Sequence, residues 1–293
     1  MEEGGIDLKK IAGFILVFIG AVLFVHQITD ALSFKRSESA EEITVQVDGK
    51  EELVVKVTAV DLQVYPTLDN EVTASLSENN ENDYRLDVQE RGNRIEIEMK
   101  EPRFHLFSFN FRAKPTLTVY VPYEEIERAE WHTVSGQVYI EGEHELDHLT
   151  IRTVSGDVFA DSLKGNQFRF HSTSGDLEVQ TLESLDTSME NVSGDVTIHD
   201  FSGDVNGKTV SGDISLHFDR KNEQVQLQTV SGDVYMRIPE PDAALSAESI
   251  SGTIEVDGPF VNQSRQSRSF SGTIGSGQHE VYIKTTSGDI MIY

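Results

Sequence analysis

The 293-residue chain contains no cysteine, which excludes disulfides and thiolate metal sites. Basic residues are scarce: 24 Lys and Arg stand against 50 Asp and Glu, a formal net charge of −26. That deficit argues against nucleic acid, whose phosphates need clustered cations, and describes a self-repelling, acidic surface. Catalytic signatures are also missing. There is no phosphate-binding glycine loop, no HExxH pair and no GxSxG elbow. The nine histidines are scattered, and none stands at a fixed spacing from a recurring serine to activate it. His144 and His148, four apart in HELDH, would share a helix face as metal ligands, but they fall in a polar stretch between strands. No cofactor is expected, and the chain reads as a non-enzyme.

Long apolar runs are limited to one, IAGFILVFIGAVLFVHQI at 11–28. Eighteen helical residues span roughly 27 Å, close to the hydrocarbon thickness of a bilayer. An uncleaved anchor, a cleaved signal peptide and a buried helix compete for it. The run has no polar face, and no small-x-small cleavage site follows it, which favours the anchor. Lys9 and Lys10 precede it and Lys35 and Arg36 follow, so flanking charge does not orient it. The short N-terminal tail places residues 1–10 in the cytoplasm and the bulk of the chain outside the cell membrane. Residues 29–42 form a stalk.

What the chain does have is a repeat. TVSGDV at 153–158 returns as STSGDL, NVSGDV, TVSGDI and TVSGDV. The Ser-Gly pair stands at Ser135 and Gly136, Ser155 and Gly156, Ser174 and Gly175, Ser193 and Gly194, Ser211 and Gly212, Ser231 and Gly232, Ser251 and Gly252, Ser271 and Gly272, and Ser287 and Gly288. The period is close to twenty residues. A further FSGDV at 201–205 has no place in it. Three residues past each serine stands an apolar, mostly β-branched residue, from Val138 and Val158 to Ile274 and Ile290. Alternation continues beyond it and is also present before the corner, as in Phe168 and Phe170. Each unit therefore reads as strand, corner, strand, loop.

A unit of twenty residues cannot bury its apolar face alone, but stacked units can. The expected fold is all-β: a single-stranded, right-handed β-helix or β-solenoid of about nine coils over 127–293, with an N-terminal β region at 43–126 as a cap or as irregular coils. A propeller needs about forty residues per blade, and a sandwich of hairpins does not explain identical corners. At the corner, glycine supplies positive φ and serine bonds local backbone or the next coil. The small polar column Thr133, Thr153, Ser172, Asn191, Thr209, Thr229, Ser249, Ser269 and Thr285 forms a stacked hydrogen-bonding ladder.

The aspartates Asp157, Asp176, Asp195, Asp213 and Asp233 would stack at one strand spacing. Neighbouring carboxylates then repel by about 0.9 kcal/mol even in bulk water. Bonding to turn backbone offsets this; a Ca²⁺ ladder is the other reading, weakened by Gln137, Thr253 and Thr273, which interrupt the column. The last corner runs straight to Tyr293 with nothing after it to cover the coil, so self-association through the C-terminal coil is expected. Phe104, Phe107, Phe109 and Phe111 in FHLFSFNF form an aromatic segment for core packing or for partner contact.

LTVYVP at 117–122 followed by iterated TVSGDV resembles the "putative adhesin" family of bacterial β-strand-repeat proteins, over about 45–293. With the N-terminal apolar run, the whole chain is most similar to LiaG-type proteins, encoded with envelope-stress response systems of Gram-positive bacteria. The resemblance implies an outward-facing, membrane-anchored β-helical protein without catalytic residues, acting as a binding or scaffold element with an envelope or signalling protein as partner. A self-assembling, adhesin-like surface protein and a polysaccharide-acting β-helix enzyme are the alternatives.

Overall fold

Period-two alternation of β-branched and aromatic residues with polar ones builds twenty-two strands and, among the described residues, no helix. The computed structural model describes residues 42–49, 51–77, 84–100 and 115–293. The expected anchor at 11–28 and the phenylalanines at 104, 107, 109 and 111 lie outside them.

The strands are β1 (Glu42–Gln46), β2 (Glu52–Lys56), β3 (Asp61–Thr67), β4 (Glu71–Leu76), β5 (Arg85–Arg91), β6 (Arg94–Lys100), β7 (Thr116–Pro122), β8 (Arg128–Thr133), β9 (Val138–Glu145), β10 (His148–Thr153) and β11 (Val158–Ser172). There follow β12 (Leu177–Ser193), β13 (Val196–Ser211), β14 (Ile214–Phe218), β15 (Val225–Thr229), β16 (Val234–Arg237), β17 (Ala243–Ser249), β18 (Ile254–Val256), β19 (Val261–Gln266), β20 (Ser269–Ile274), β21 (His279–Thr285) and β22 (Ile290–Ile292).

Parallel pairing arranges them as two faces. The first, made of strands that follow the corners, runs β7, β3, β9, β11, β12, β13, β14, β16, β22, β18. The second, made of strands that precede them, runs β6, β2, β8, β10, β11, β12, β13, β15, β21, β17. The long strands β11, β12 and β13 bend and serve both. Ten levels at one strand spacing make a stack of about 45 Å. Inward side chains of both faces form one apolar core, including Val158, Leu177, Val196 and Ile214 from the first and Phe168, Phe170 and Leu227 from the second. Each such side chain contributes about 1.5–3 kcal/mol on burial.

The chain order is broken at both ends. The level formed by β2 and β3 lies between those of β6/β7 and β8/β9. The level of β21 and β22 lies between those of β15/β16 and β17/β18. The corner at Ser287 and Gly288 is thus not the end of the stack, contrary to the expectation from sequence. Antiparallel strands flank the outermost levels: β4 and β1 beside β7, β5 beside β6, and β20 and β19 beside β17. The ERGN turn joins β5 to β6 as a hairpin, with Gly92 at φ 60°. A second correction concerns Ser271 and Gly272. They lie inside β20, opposite Ser246 and Leu245, and make no corner. The polar stretch leading into β19 and β20 turns the chain back on itself instead of sending it round another level.

If the last two strands are wedged inside the stack, cutting them away must loosen what lies beyond. Truncation after Gln278 is expected to remove amide-exchange protection from 243–256, while 148–211 keep theirs. Loss confined to the deleted strands would contradict this arrangement.

Candidate functional site

The corner column is the most regular chemistry in the molecule. Eight of the glycines fall in it, and the reason is close approach. A Cβ on Gly156 would lie 1.9 Å from the carbonyl oxygen of Gly136, one on Gly175 2.1 Å from that of Gly156, and one on Gly232 2.0 Å from that of Gly212. The column continues through Gly288, over Gly232, to Gly252, over Gly288. The positive φ expected from sequence occurs in this column only at Gly194, where φ is 140°. The serines bind the level below mainly through backbone: the N–H groups of Ser155, Ser174 and Ser231 donate to Val134, Val154 and Val210 carbonyls at 2.8 Å. Ser155 Oγ adds a bond to Val134 O at 3.2 Å.

Apart from Ser269, which is part-exposed in β20, the small polar column is buried, and Thr133, Thr153, Ser172 and Asn191 close their own corners. Thr153 Oγ1 accepts from Gly156 N at 2.7 Å and donates to Gly156 O at 3.0 Å, and Thr133 does the same with Gly136. The expected ladder between coils is made only in places, as where Ser249 Oγ donates to Gly288 O at 3.0 Å. The additional FSGDV is a corner on the opposite edge: a Cβ on Gly203 would meet Ser184 O at 1.6 Å, just as one on Gly165 would meet Leu146 O at 1.8 Å.

The aspartates form a relay. Asp176 N–H donates to Asp157 Oδ1 (3.1 Å), Asp195 N–H to Asp176 Oδ1 (2.8 Å), Asp213 N–H to Asp195 Oδ1 (2.8 Å) and Asp233 N–H to Asp213 Oδ1 (2.8 Å). Two members were missed in the sequence. Asp289 N–H donates to Asp233 Oδ1, and Asp289 Oδ1 accepts from Thr253 N–H, both at 2.7 Å. At the other end Asp61 Oδ1 accepts from Gln137 N–H at 2.9 Å. Asp289 carries its own SGD signal; Asp61 had only the position before an alternating strand. The N–H dipoles offset carboxylate repulsion. At Asp289 the Thr253 amide holds the carboxyl below its ordinary range. Among the described residues no group of three or more acidic or histidine side chains is gathered as metal donors.

His144 and His148 share no helix face. His144 lies in β9 and His148 begins β10. His144 is buried, with Nε2 3.2 Å from Glu141 O, and burial pushes its imidazole down toward the neutral form.

The outer surfaces differ. The second face holds cations among acids: Arg152 and His132 both reach Glu130 (3.4 and 3.0 Å), His171 reaches Glu190 (3.4 Å), and Lys284 reaches Glu248 (3.4 Å). The His132 hydrogen bond, helped by Arg152, holds the Glu130 carboxyl at about 2. On the same face an open groove of about 310 Å³ is lined by Asp186, Asp204, Asn206, Gln226, Glu280 and Tyr282, among others. The first face carries stacked aromatic rings: Tyr65 on Tyr120 (centroids 5.6 Å, 27°) and Tyr139 on Phe159 (5.4 Å, 15°).

Two expected outcomes follow from the corner. Gly175→Ala forces a Cβ against a carbonyl and is expected to cost at least the roughly 1–3 kcal/mol of overpacking, whereas Ser174→Ala stays within about 0.5 kcal/mol; urea midpoints measure both. Asp195→Ala is expected to speed exchange of the Asp213 amide, and Asp195→Asn, which retains an acceptor oxygen, to restore most of the protection.

Acid should act in two stages. An imidazole with a lowered folded value costs stability as pH falls below the unfolded value of about 6.5. Carboxyls with lowered folded values stabilise fully above their unfolded values of about 4 and lose that contribution as pH falls toward the folded ones. Unfolding midpoints from pH 7.5 to 3 should therefore fall first through His144, a phase that His144→Gln removes, and again below about pH 4 through Glu130 and Asp289.

Comparison with known proteins places this geometry. Residues 50–293 match the family model described as Toastrack DUF4097. A solved structure described as a "putative adhesin" from Bacteroides fragilis aligns with a TM-score of 0.52 at 14% identity, covering 89% of this chain and 100% of that one. A "putative lipid binding protein" from Parabacteroides distasonis aligns with a TM-score of 0.46 at 17% identity, covering 88% and 97%. No curated protein sequence matches the chain.

Proposed function

The chain belongs to the Toastrack DUF4097 family, and from that premise we propose that it is a non-enzymatic binding or scaffold element of the cell envelope. It is held in the membrane by residues 11–28 and presents the β stack outside the cell, in a setting linked to envelope stress. The observation that carries the reading is the aspartate relay. The serines and aspartates that recur down the chain are engaged with backbone of adjacent levels, so the repeated motif is architecture and the broad outer faces remain for recognition. The anchor rests on the apolar run at 11–28, and the envelope setting on resemblance to LiaG-type chains.

A second reading, self-association, has a specific observation of its own. β18 pairs with β22 on one side, and Ile250 and Val261 near it are 57% exposed. A single-sided strand with apolar neighbours is a template for a second chain. The contact would then be made through β18, with the level of β21 and β22 behind it.

Both readings are tested in cells. Protease added to intact protoplasts is expected to remove the stack and leave an N-terminal membrane-bound remnant; full protection would overturn the proposed orientation. A photo-crosslinker at Glu255 is expected to capture a second copy if self-association is right. Crosslinkers on the outer faces should capture a different envelope protein, and absence of any adduct would count against the scaffold reading.

A further inference from the structure

The two faces divide the charges unequally. The second face carries Lys56, Arg94, Lys100, Arg128, Arg152, Arg169, Lys208 and Lys284. On the ten strands of the first face, outside the stretches of β11 to β13 that pair with β10 and β15, the Lys and Arg are Arg237 in β16 and Lys164 in β11, the latter engaged by Glu143 and Glu183. In the same region stand Glu141, Asp161 and Glu178, on adjacent levels. Rejection of cations from one face is not required by the fold, since outward positions on both faces are mostly part-exposed or exposed.

That cation-poor face is also where the aromatic rings lie. Tyr65 and Tyr120 are opposite each other on β3 and β7, and Tyr139 and Phe159 on β9 and β11. Tyr120 is 42% exposed, and the other three are half-buried. The two stacked pairs are offset by two levels across the strands and by two residues along them. With strand spacing and rise this places the pair centres about 12 Å apart. Carboxylates fill the intervening corner of the pattern. Glu141 is level with Tyr65, whose hydroxyl donates to its Oε1 at 2.9 Å. Asp161 Oδ2 accepts from Gly142 N–H at 2.8 Å beside it. Neither carboxylate meets a Lys or Arg among the described residues.

Ring faces are negative and attract cations, guanidinium most of all, and adjacent carboxylates add charge-assisted hydrogen bonds. We propose that this aromatic and acidic patch on the first face binds an extended, arginine-rich peptide segment. Two guanidinium groups would sit one on each ring pair. The separation of about 12 Å suits basic residues three or four apart in an extended chain. The proposal deepens the binding reading above and rests on it. An anionic polymer is disfavoured by Glu141, Asp161 and Glu178, and a neutral glycan would use the rings but leave the carboxylates idle.

The test is anisotropy of fluorescein-labelled octa-arginine with the full chain in detergent micelles at about 0.15 M salt, where long-range attraction is screened. Tyr120→Leu with Phe159→Leu removes one ring from each pair and is expected to weaken binding about tenfold. Glu141→Gln with Asp161→Asn should do the same. Asp219→Asn with Glu240→Gln removes two charges from a distant exposed region and should change affinity less than twofold. Equal weakening by all three double variants would reduce the effect to general attraction by an acidic chain and overturn the site. Preferential binding of a neutral glycan that Tyr120→Leu with Phe159→Leu abolishes would overturn the choice of occupant. Octa-arginine that fails to bind a chain still able to capture an envelope partner in cells would sink this assignment alone and leave the scaffold reading standing.

Discussion

At eight corners in succession a carbonyl oxygen occupies the space that a Cβ would need, 1.6–2.5 Å from its ideal position. Only glycine can stand there, and its absence of side chain lets one level descend onto the next. The rest of the stack depends on that approach. It brings the serine N–H groups within 2.8–2.9 Å of the carbonyls below and sets the aspartate Oδ1 atoms within reach of the next backbone amide. It also aligns Val158, Leu177, Val196 and Ile214 into one apolar row. The glycine is therefore steric first and conformational second.

The relay explains how a chain with a net charge of −26 tolerates carboxylates at one strand spacing. Each is matched to an amide dipole that exists only when the next level is in register, so the charge that would push levels apart reports correct stacking. The series stops where the residue type changes. Thr253 donates its N–H to Asp289 but has no carboxylate to offer a further level. Gln137 interrupts it at the other end, donating its N–H to Asp61 Oδ1 and reaching Asp157 Oδ2 with Nε2 at 3.4 Å.

Much of this was legible from sequence because it is local and repeated. The corner, the strands on either side of it and the inward positions follow from a period near twenty and an alternation of two. What was not legible depends on which strands meet. Ser271 and Gly272 have the motif but lie in an antiparallel strand, since pairing with β17 decides their role. The insertion of β21 and β22 before β17 and β18 leaves no mark in the spacing. The aromatic patch is equally hidden: Tyr65 and Tyr120 are far apart in sequence and adjacent only because β3 lies on β7.

Tucking the level of β21/β22 one place inward has a mechanical consequence at the C-terminal end. In an ordinary coil a tug at either extremity peels strands away one at a time, each failing alone. At the C-terminal end the tug arrives at β22, clamped between β16 and β18, so its bonds on both sides must shear together, whereas at the other end it meets β1, which pairs with β4 alone. Forced unfolding is governed by the height of the unfolding barrier, and this topology raises it at the C-terminal end. Load entering through β22 would be spread over the levels on both sides of it before any of them came loose.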